Sequence, residues 1–116
     1  MLIERANIIS NIEVAHNIWE MFFEAPGIVN DYKGPGQFIN ILIEDNWNHP
    51  LRRPMSIASA KDGKVSIIYK IFGDATNTLS KKQSGDTIEI LGPLGNVFTN
   101  WDNGYYPILV GGGVGL

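Results

Sequence analysis

Apolar and polar residues alternate along most of the chain. Over residues 17–24, Trp19, Met21 and Phe23 fall on one face and Glu20 and Glu24 on the other, the two-residue period of a half-buried strand. A looser strand-like run, 4–14, precedes it. Residues 37–43 are rich in Ile and Phe and follow Gly34-Pro35-Gly36. Further on, Val65, Ile67, Tyr69 and Ile71 alternate with Ser66 and Lys70, and Ile88 and Ile90 with Thr87 and Glu89. Turn chemistry separates the runs, at Ala25-Pro26-Gly27, Asp45-Asn46, Lys61-Asp62-Gly63 and Ser84-Gly85-Asp86. Asp62-Gly63 between two apolar runs predicts a hairpin. Short strands with regular turns predict an all-β domain, either a closed antiparallel barrel or a sandwich. One short helix is expected near 74–82, with Asp74 as its cap and Lys81 and Lys82 at its end, where cations suit the helix dipole.

The last stretch departs from this pattern. Tyr106-Pro107-Ile108-Leu109-Val110 reads as a fully buried strand, and Gly111-Gly112-Gly113-Val114-Gly115-Leu116 follows at once. A buried strand entering a glycine-rich turn is how a nucleotide-binding α/β domain begins. The expected organisation is a β domain over 1–100. Over 101–116 it is a linker with the first strand and glycine-rich turn of a second domain, whose remainder lies outside the chain. Trp101 and Tyr105 are expected to pack in that linker. Left without cover, the 106–110 strand invites pairing between two copies of the chain.

Composition narrows the function classes. At 116 residues, with 44% hydrophobic and 18% charged positions, the chain suits one globular domain with its own core. Its net charge is -3 and its pI about 5.2, and no basic stripe occurs, which argues against nucleic acid as a partner. No run approaches the roughly 18 apolar residues of a membrane helix. The N-terminus carries Glu4 and Arg5 early and has no apolar signal-peptide core. There is no cysteine, which removes disulfides, thiolate catalysis and Cys-held clusters from this chain. No metal site and no membrane partner are expected, and the expected location is cytoplasmic.

Four stretches could carry chemistry. In Leu51-Arg52-Arg53-Pro54-Met55-Ser56-Ile57-Ala58-Ser59, two arginines stand at the entrance of an apolar strand. Arginine offers a planar, permanently charged fork that suits a pyrophosphate. Taken alone, two solvated arginines on a strand edge are the commoner explanation. In the run from Tyr69 to Leu79, a strand ends at Gly73 and a short helix follows, an arrangement that presents free N–H groups to phosphate. A plain strand-turn-helix capped by Asp74 fits equally. Gly92-Pro93-Leu94-Gly95 reads only as a rigid turn. The run 111–115 is a glycine-rich turn of the kind that cradles phosphates, and it is weak alone. Trp47 and His49, before Arg52, and His16 read as loop or turn residues; the first two could also form a partner contact.

Together these stretches resemble a family. Arg53-Pro54-Met55-Ser56 resembles the Arg-x-Tyr-Ser flavin motif of ferredoxin-reductase-like proteins. Gly73-Asp74-Ala75-Thr76 with Leu79 resembles their Gly-x-x-Ser/Thr motif, and Pro35-Gly36-Gln37-Phe38 their Pro-Gly-Gln-aromatic turn. Gly92-Pro93-Leu94-Gly95 and 111–115 resemble the domain junction and the start of the pyridine-nucleotide domain. The doubled arginine is most like that of dihydroorotate dehydrogenase electron-transfer subunits. The resemblance implies a six-stranded antiparallel Greek-key FAD-binding barrel with one short helix, joined to the first strand of an α/β NAD-binding domain. It implies that Arg53 holds the FAD pyrophosphate and that Ser56 hydrogen-bonds the reactive edge of the flavin ring, the catalytic position. Met55 stands where an aromatic residue would stack, and thioether dispersion can replace that contact. Pro54 and Ile57 shape the pocket. Tyr69, Lys70 and Ile71 run along the flavin, and Gly73, Ala75 and Thr76 face the pyrophosphate. Gly111, Gly112 and Gly113 belong to the nucleotide turn, and Arg52 reaches the adenosine side or a partner.

The implied function is electron transfer between NAD(H), FAD and a [2Fe-2S] cluster in pyrimidine biosynthesis. The implied partner is a catalytic subunit that oxidises dihydroorotate. The cluster's cysteines lie outside this chain, so the chain alone is expected to be inactive and to bind FAD weakly. Three alternatives remain open here. One is another reductase of the same superfamily, serving ferredoxin, sulfide or glutamate synthase. The others are a non-enzymatic ligand- or oligonucleotide-binding barrel, and an assembly module without cofactor chemistry.

Overall fold

The structure is a computed structural model that describes residues 1–99, 104 and 106–115. Seven strands make one antiparallel sheet: β1 (Leu2–Ala15), β2 (Ile18–Glu24), β3 (Phe38–Leu42), β4 (Arg53–Ser56), β5 (Ser59–Lys61), β6 (Lys64–Lys70) and β7 (Thr87–Leu94). Two short helices interrupt them, α1 (Pro26–Asp31) and α2 (Asp74–Ser80). The sheet order is β4-β3-β7-β1-β2-β6-β5.

The two outer strands of that order are one chain segment bent at Ile57 and Ala58. Before the bend β4 pairs with β3; after it β5 pairs with β6. The Ile57 N–H donates to the Gln37 carbonyl (3.2 Å) and the Ala58 N–H to the Ser66 carbonyl (2.8 Å). The hydroxyls of Ser59 and Ser66 meet at 2.7 Å. Counted as one strand, β4 and β5 close a six-stranded barrel with the order 1-2-5-4-3-6. This is the Greek-key barrel that the resemblance implied. Closure leaves no long unpaired edge, the hazard of an open sheet.

The period-2 pattern is what fills the barrel. Ala6, Ile8, Met21, Phe23, Ile39, Ile41, Val65, Ile67, Ile88 and Ile90 all point inward and are buried. Asp62 and Gly63 both have positive φ, 54° and 74°, so the predicted β5–β6 hairpin has the turn its sequence implies.

Three local expectations are corrected. Ala25-Pro26-Gly27 opens α1 rather than a bare turn. Pro26 lies at the start of the helix, where its missing N–H costs nothing, and the Glu4 carboxylate accepts the Gly27 and Ile28 N–H groups at 3.0 Å each. The capping group comes from β1 and is invisible in the local sequence. Asp74 is the first helical residue of α2, not its cap; Gly73 occupies the cap position and no side chain caps the helix. Gly92, Pro93 and Leu94 continue β7 instead of forming a turn, with Leu94 opposite Phe38.

That last pairing explains the Pro35-Gly36-Gln37-Phe38 motif. Gln37 is buried; its Oε1 accepts the Lys33 N–H (2.8 Å) and its Nε2 donates to the Gly95 carbonyl (3.1 Å). Its own carbonyl receives Ile57. One side chain and one peptide thus join three segments. Gly36 has φ +108°, and a Cβ there would stand 2.7 Å from the Asn96 carbonyl.

Residues 106–110 form no strand. Tyr106, Ile108, Leu109 and Val110 are almost fully exposed, and among the described residues no neighbouring strand supplies ladder hydrogen bonds. Trp101 and Tyr105 lie outside the described residues. Among the described residues no helix is long and apolar enough to cross a membrane.

Gly36→Ala is expected to cost about 2 kcal/mol, the scale of a forced backbone conformation. In a domain of this size that lowers the melting temperature by about 10 °C. A thermal unfolding scan checks it, and an unchanged midpoint would refute the close approach.

Candidate functional site

The bend that closes the barrel also opens it on one side. Ladder pairing of β6 with β5 runs from Lys64 to Ser66 and stops there, because the chain has turned toward β3. The second half of β6 therefore faces β4 across a gap. A cleft of about 470 Å³ fills it. Pro54, Met55, Ser56 and Ala58 form one wall, and Ile68, Tyr69 and Lys70 the other. Thr76 closes one end, and Val114 and Gly115 reach in from the terminal segment.

The cleft gathers Pro54, Met55, Ser56, Tyr69, Lys70 and Thr76 of the sequence-predicted site. Ser56 is exposed, its hydroxyl free of side-chain bonds among the described residues. Arg53, Ile71, Gly73 and Ala75 stand beside the cleft rather than in its lining. Ala75 packs against the core. The Ile57 side chain is buried in the core, off the cleft lining. Gly111, Gly112 and Gly113, expected in the nucleotide turn, are exposed and off the lining, while Val114 and Gly115 of the same run reach the cleft.

The two arginines separate by role. Arg52 forms a half-buried ion pair with Glu89 on β7, which ties the loop to the barrel. Its expected reach toward an adenosine or a partner is thereby replaced by a structural contact. Arg53 makes no ion pair among the described residues; its one side-chain bond goes to the Leu51 carbonyl at 3.1 Å. Its charge is left uncompensated beside the cleft, where an anion would gain a charge-assisted bond.

The Gly73 turn is held from within. The Thr76 Oγ1 accepts the Phe72 N–H at 2.7 Å and lies 3.4 Å from the Gly73 carbonyl. Gly73 has φ +85° with nothing near its missing Cβ, so it is required for the turn's conformation rather than for space. At the far end of α2, the Asn11 Nδ2 donates to the Leu79 (3.0 Å) and Lys82 (2.9 Å) carbonyls, satisfying groups that helix termini leave free.

Tyr69 connects the cleft to that tether. The residue borders the cleft while its ring is buried in the core, and its hydroxyl donates to the Asn11 Oδ1 at 2.8 Å. Burial pushes its phenol up to about 12. Sequence reasoning missed Ala58 and Ile68. Ile68 carried a signal: it is an apolar residue on the outward face of β6, between Ser66 and Lys70, and it is partly exposed in the cleft wall. His49, read as a loop residue, is buried against α2.

Among the described residues no group of three or more His, Cys, Asp and Glu side chains could hold a metal ion. No family model matches the chain. In sequence it is 38% identical, over 113 residues, to the dihydroorotate dehydrogenase B (NAD(+)) electron transfer subunit of Bacillus pumilus, covering 94% of this chain. The chain is a homologue of that electron-transfer subunit. It spans less than half the length of this relative, 43%. In structure it is similar to an NADH-dependent reduced ferredoxin-NADP oxidoreductase involved in flavin-based electron bifurcation. The TM-score is 0.74 at 29% identity, over 81% of this chain and 34% of that one. The fold also matches the flavohemoglobin of Malassezia yamatoensis, which holds FAD and heme. There the TM-score is 0.67 at 19% identity, over 83% of this chain and 26% of that one. The barrel is the ferredoxin-reductase fold.

Tyr69→Phe tests the tether. The native phenol holds its proton more tightly than the unfolded one, whose pKa is near 10. Its contribution to stability is therefore complete below pH about 10 and is lost as pH rises through about 12. The variant is expected to be about 1 kcal/mol less stable at pH 7, because Asn11 loses its donor. Its stability should also fall less steeply between those pH values. Urea unfolding across that range reads both effects.

Proposed function

We propose that this chain is the FAD-binding part of an electron-transfer subunit of NAD-dependent dihydroorotate dehydrogenase, with residues 1–100 as the flavin barrel and 101–116 as the join to a nucleotide-binding domain. The observation that carries the reading is the cleft between β4 and β6. It has apolar walls, an exposed hydroxyl at Ser56 and, beside it, the Arg53 guanidinium without an ion pair among the described residues. Homology to the subunit of Bacillus pumilus supports the same reading.

These residues fit a flavin dinucleotide. Met55 and the exposed Ile68 present apolar surface to an aromatic ring system, with Tyr69 beside them on β6, its ring buried in the core. Ser56 directs its hydroxyl to the ring's reactive edge, the one catalytic contact assigned here. Pro54, Lys70 and Ile71 border the ring. Arg53 gives its fork to the pyrophosphate, and Gly73, Ala75 and Thr76 give backbone N–H groups to it. Gly111, Gly112 and Gly113 approach the nicotinamide nucleotide. When bound, FAD supplies the exchange between two-electron and one-electron transfer. The chain's own part is to bind and orient the dinucleotide and to keep water from one face of its ring.

In the whole protein the electrons pass between NAD(H), FAD and a [2Fe-2S] cluster. The partner is the catalytic subunit that oxidises dihydroorotate, in the cytoplasm. This chain has no cysteine to hold the cluster. Taken by itself, the chain also pairs with a second copy through residues 106–110, whose apolar side chains are almost fully exposed.

Titration with FAD, and with FMN as control, tests the flavin reading. Saturable binding with clear preference for FAD is expected. Arg53→Ala is expected to lower FAD affinity about tenfold, the loss of one charge-assisted bond, and to change FMN affinity little. Equal affinity for the two flavins, or none for either, would sink the reading. Light scattering at high concentration reads the pairing: a dimer is expected, and a strict monomer speaks against it.

A further inference from the structure

His49 is the one buried polar side chain in the loop between β3 and β4. It is 6% exposed, while Trp47, Asn48 and Pro50 beside it are exposed. A buried imidazole without partners is costly, so its contacts fix where the loop can lie. Those contacts are with α2. The Nε2 lies 3.1 Å from the Asp74 Oδ2 and 3.5 Å from the Thr78 Oγ1. A carboxylate only accepts, so the Nε2 donates to Asp74. His49 is the only side-chain partner of Asp74 among the described residues.

The placement matters because of what the two bridged segments carry. The loop leads, four residues on, to Arg53 and the β4 wall. The helix begins at the Gly73 turn and contains Thr76 at the end of the cleft. The far end of α2 is already pinned to β1 by Asn11 and Tyr69. His49 pins the near end to the other wall.

We infer that His49 is a positioning residue that sets the distance between the Arg53 wall and the Gly73–Thr76 turn, and thereby the chain's discrimination between a flavin dinucleotide and a flavin mononucleotide. This rests on the flavin reading above. A dinucleotide must engage the ring cleft, Arg53 and the Gly73 turn together, so its affinity depends on their spacing. A mononucleotide engages the ring cleft and fewer of the outlying groups, so it is nearly indifferent to that spacing.

The test uses the whole chain in four forms: unsubstituted, His49→Ala, Asp74→Ala and the double variant. Each is titrated with FAD and with FMN, and its melting temperature is recorded. Each single substitution is expected to weaken FAD binding about tenfold and FMN binding less than about twofold. The double variant should be no weaker than either single one, because both remove the same bridge. Asp74 is 84% exposed, so its substitution breaks the bridge without opening the core and carries the test if His49→Ala does not fold. Equal weakening of FAD and FMN, or an unchanged FAD affinity in Asp74→Ala, overturns the inference and leaves the flavin reading intact. Failure of the unsubstituted chain to bind FAD overturns both.

Discussion

Two backbone hydrogen bonds, from Ile57 to Gln37 and from Ala58 to Ser66, hand one strand from β3 to β6. The barrel depends on that transfer for closure, since without it the sheet would end in two open edges. The cleft depends on it too, since the strand that leaves β6 is the strand whose departure opens the gap. Stability and site therefore come from a single bend. Gln37 stands at the centre of it, with its backbone holding the bend and its side chain holding the turns at Lys33 and Gly95. The residues around the bend are placed by ladder pairing rather than by loops, which is how a barrel can hold a precise constellation with few residues.

The barrel strands were legible because their code is local. Met21 and Phe23, or Ile39 and Ile41, declare their face by alternation alone, and Asp62-Gly63 declares its turn by the φ values it tolerates. What stayed hidden depended on partners far along the chain. Glu4 makes a helix of Ala25-Pro26-Gly27 from about twenty positions away, and Phe38 keeps Gly92-Pro93-Leu94 in the sheet. The terminal run 106–110 has the composition of a buried strand, yet burial and ladder bonds need a neighbour, and no described residue supplies one.

The site was legible in part. Motif resemblance placed Pro54, Met55, Ser56, Tyr69, Lys70 and Thr76, and they line one cleft. It gave Gly111, Gly112 and Gly113 to a nucleotide turn and did not foresee that Val114 and Gly115 reach the cleft. It could not show that adjacent, identical arginines face different tasks, because the difference lies in Glu89 on another strand. Nor could it show that His49, a lone histidine among polar loop residues, turns inward to meet α2.

The division of labour between Arg52 and Arg53 has a consequence for how a ligand is met. Arg52 is already committed to Glu89, so the backbone at the mouth of the cleft is anchored before anything arrives. An anion binding at Arg53, as proposed, would have to still only that side chain's torsions. Most of the ordering entropy of such an encounter would thus be settled during folding, leaving the guanidinium to exchange its bond to the Leu51 carbonyl for one to the group it meets.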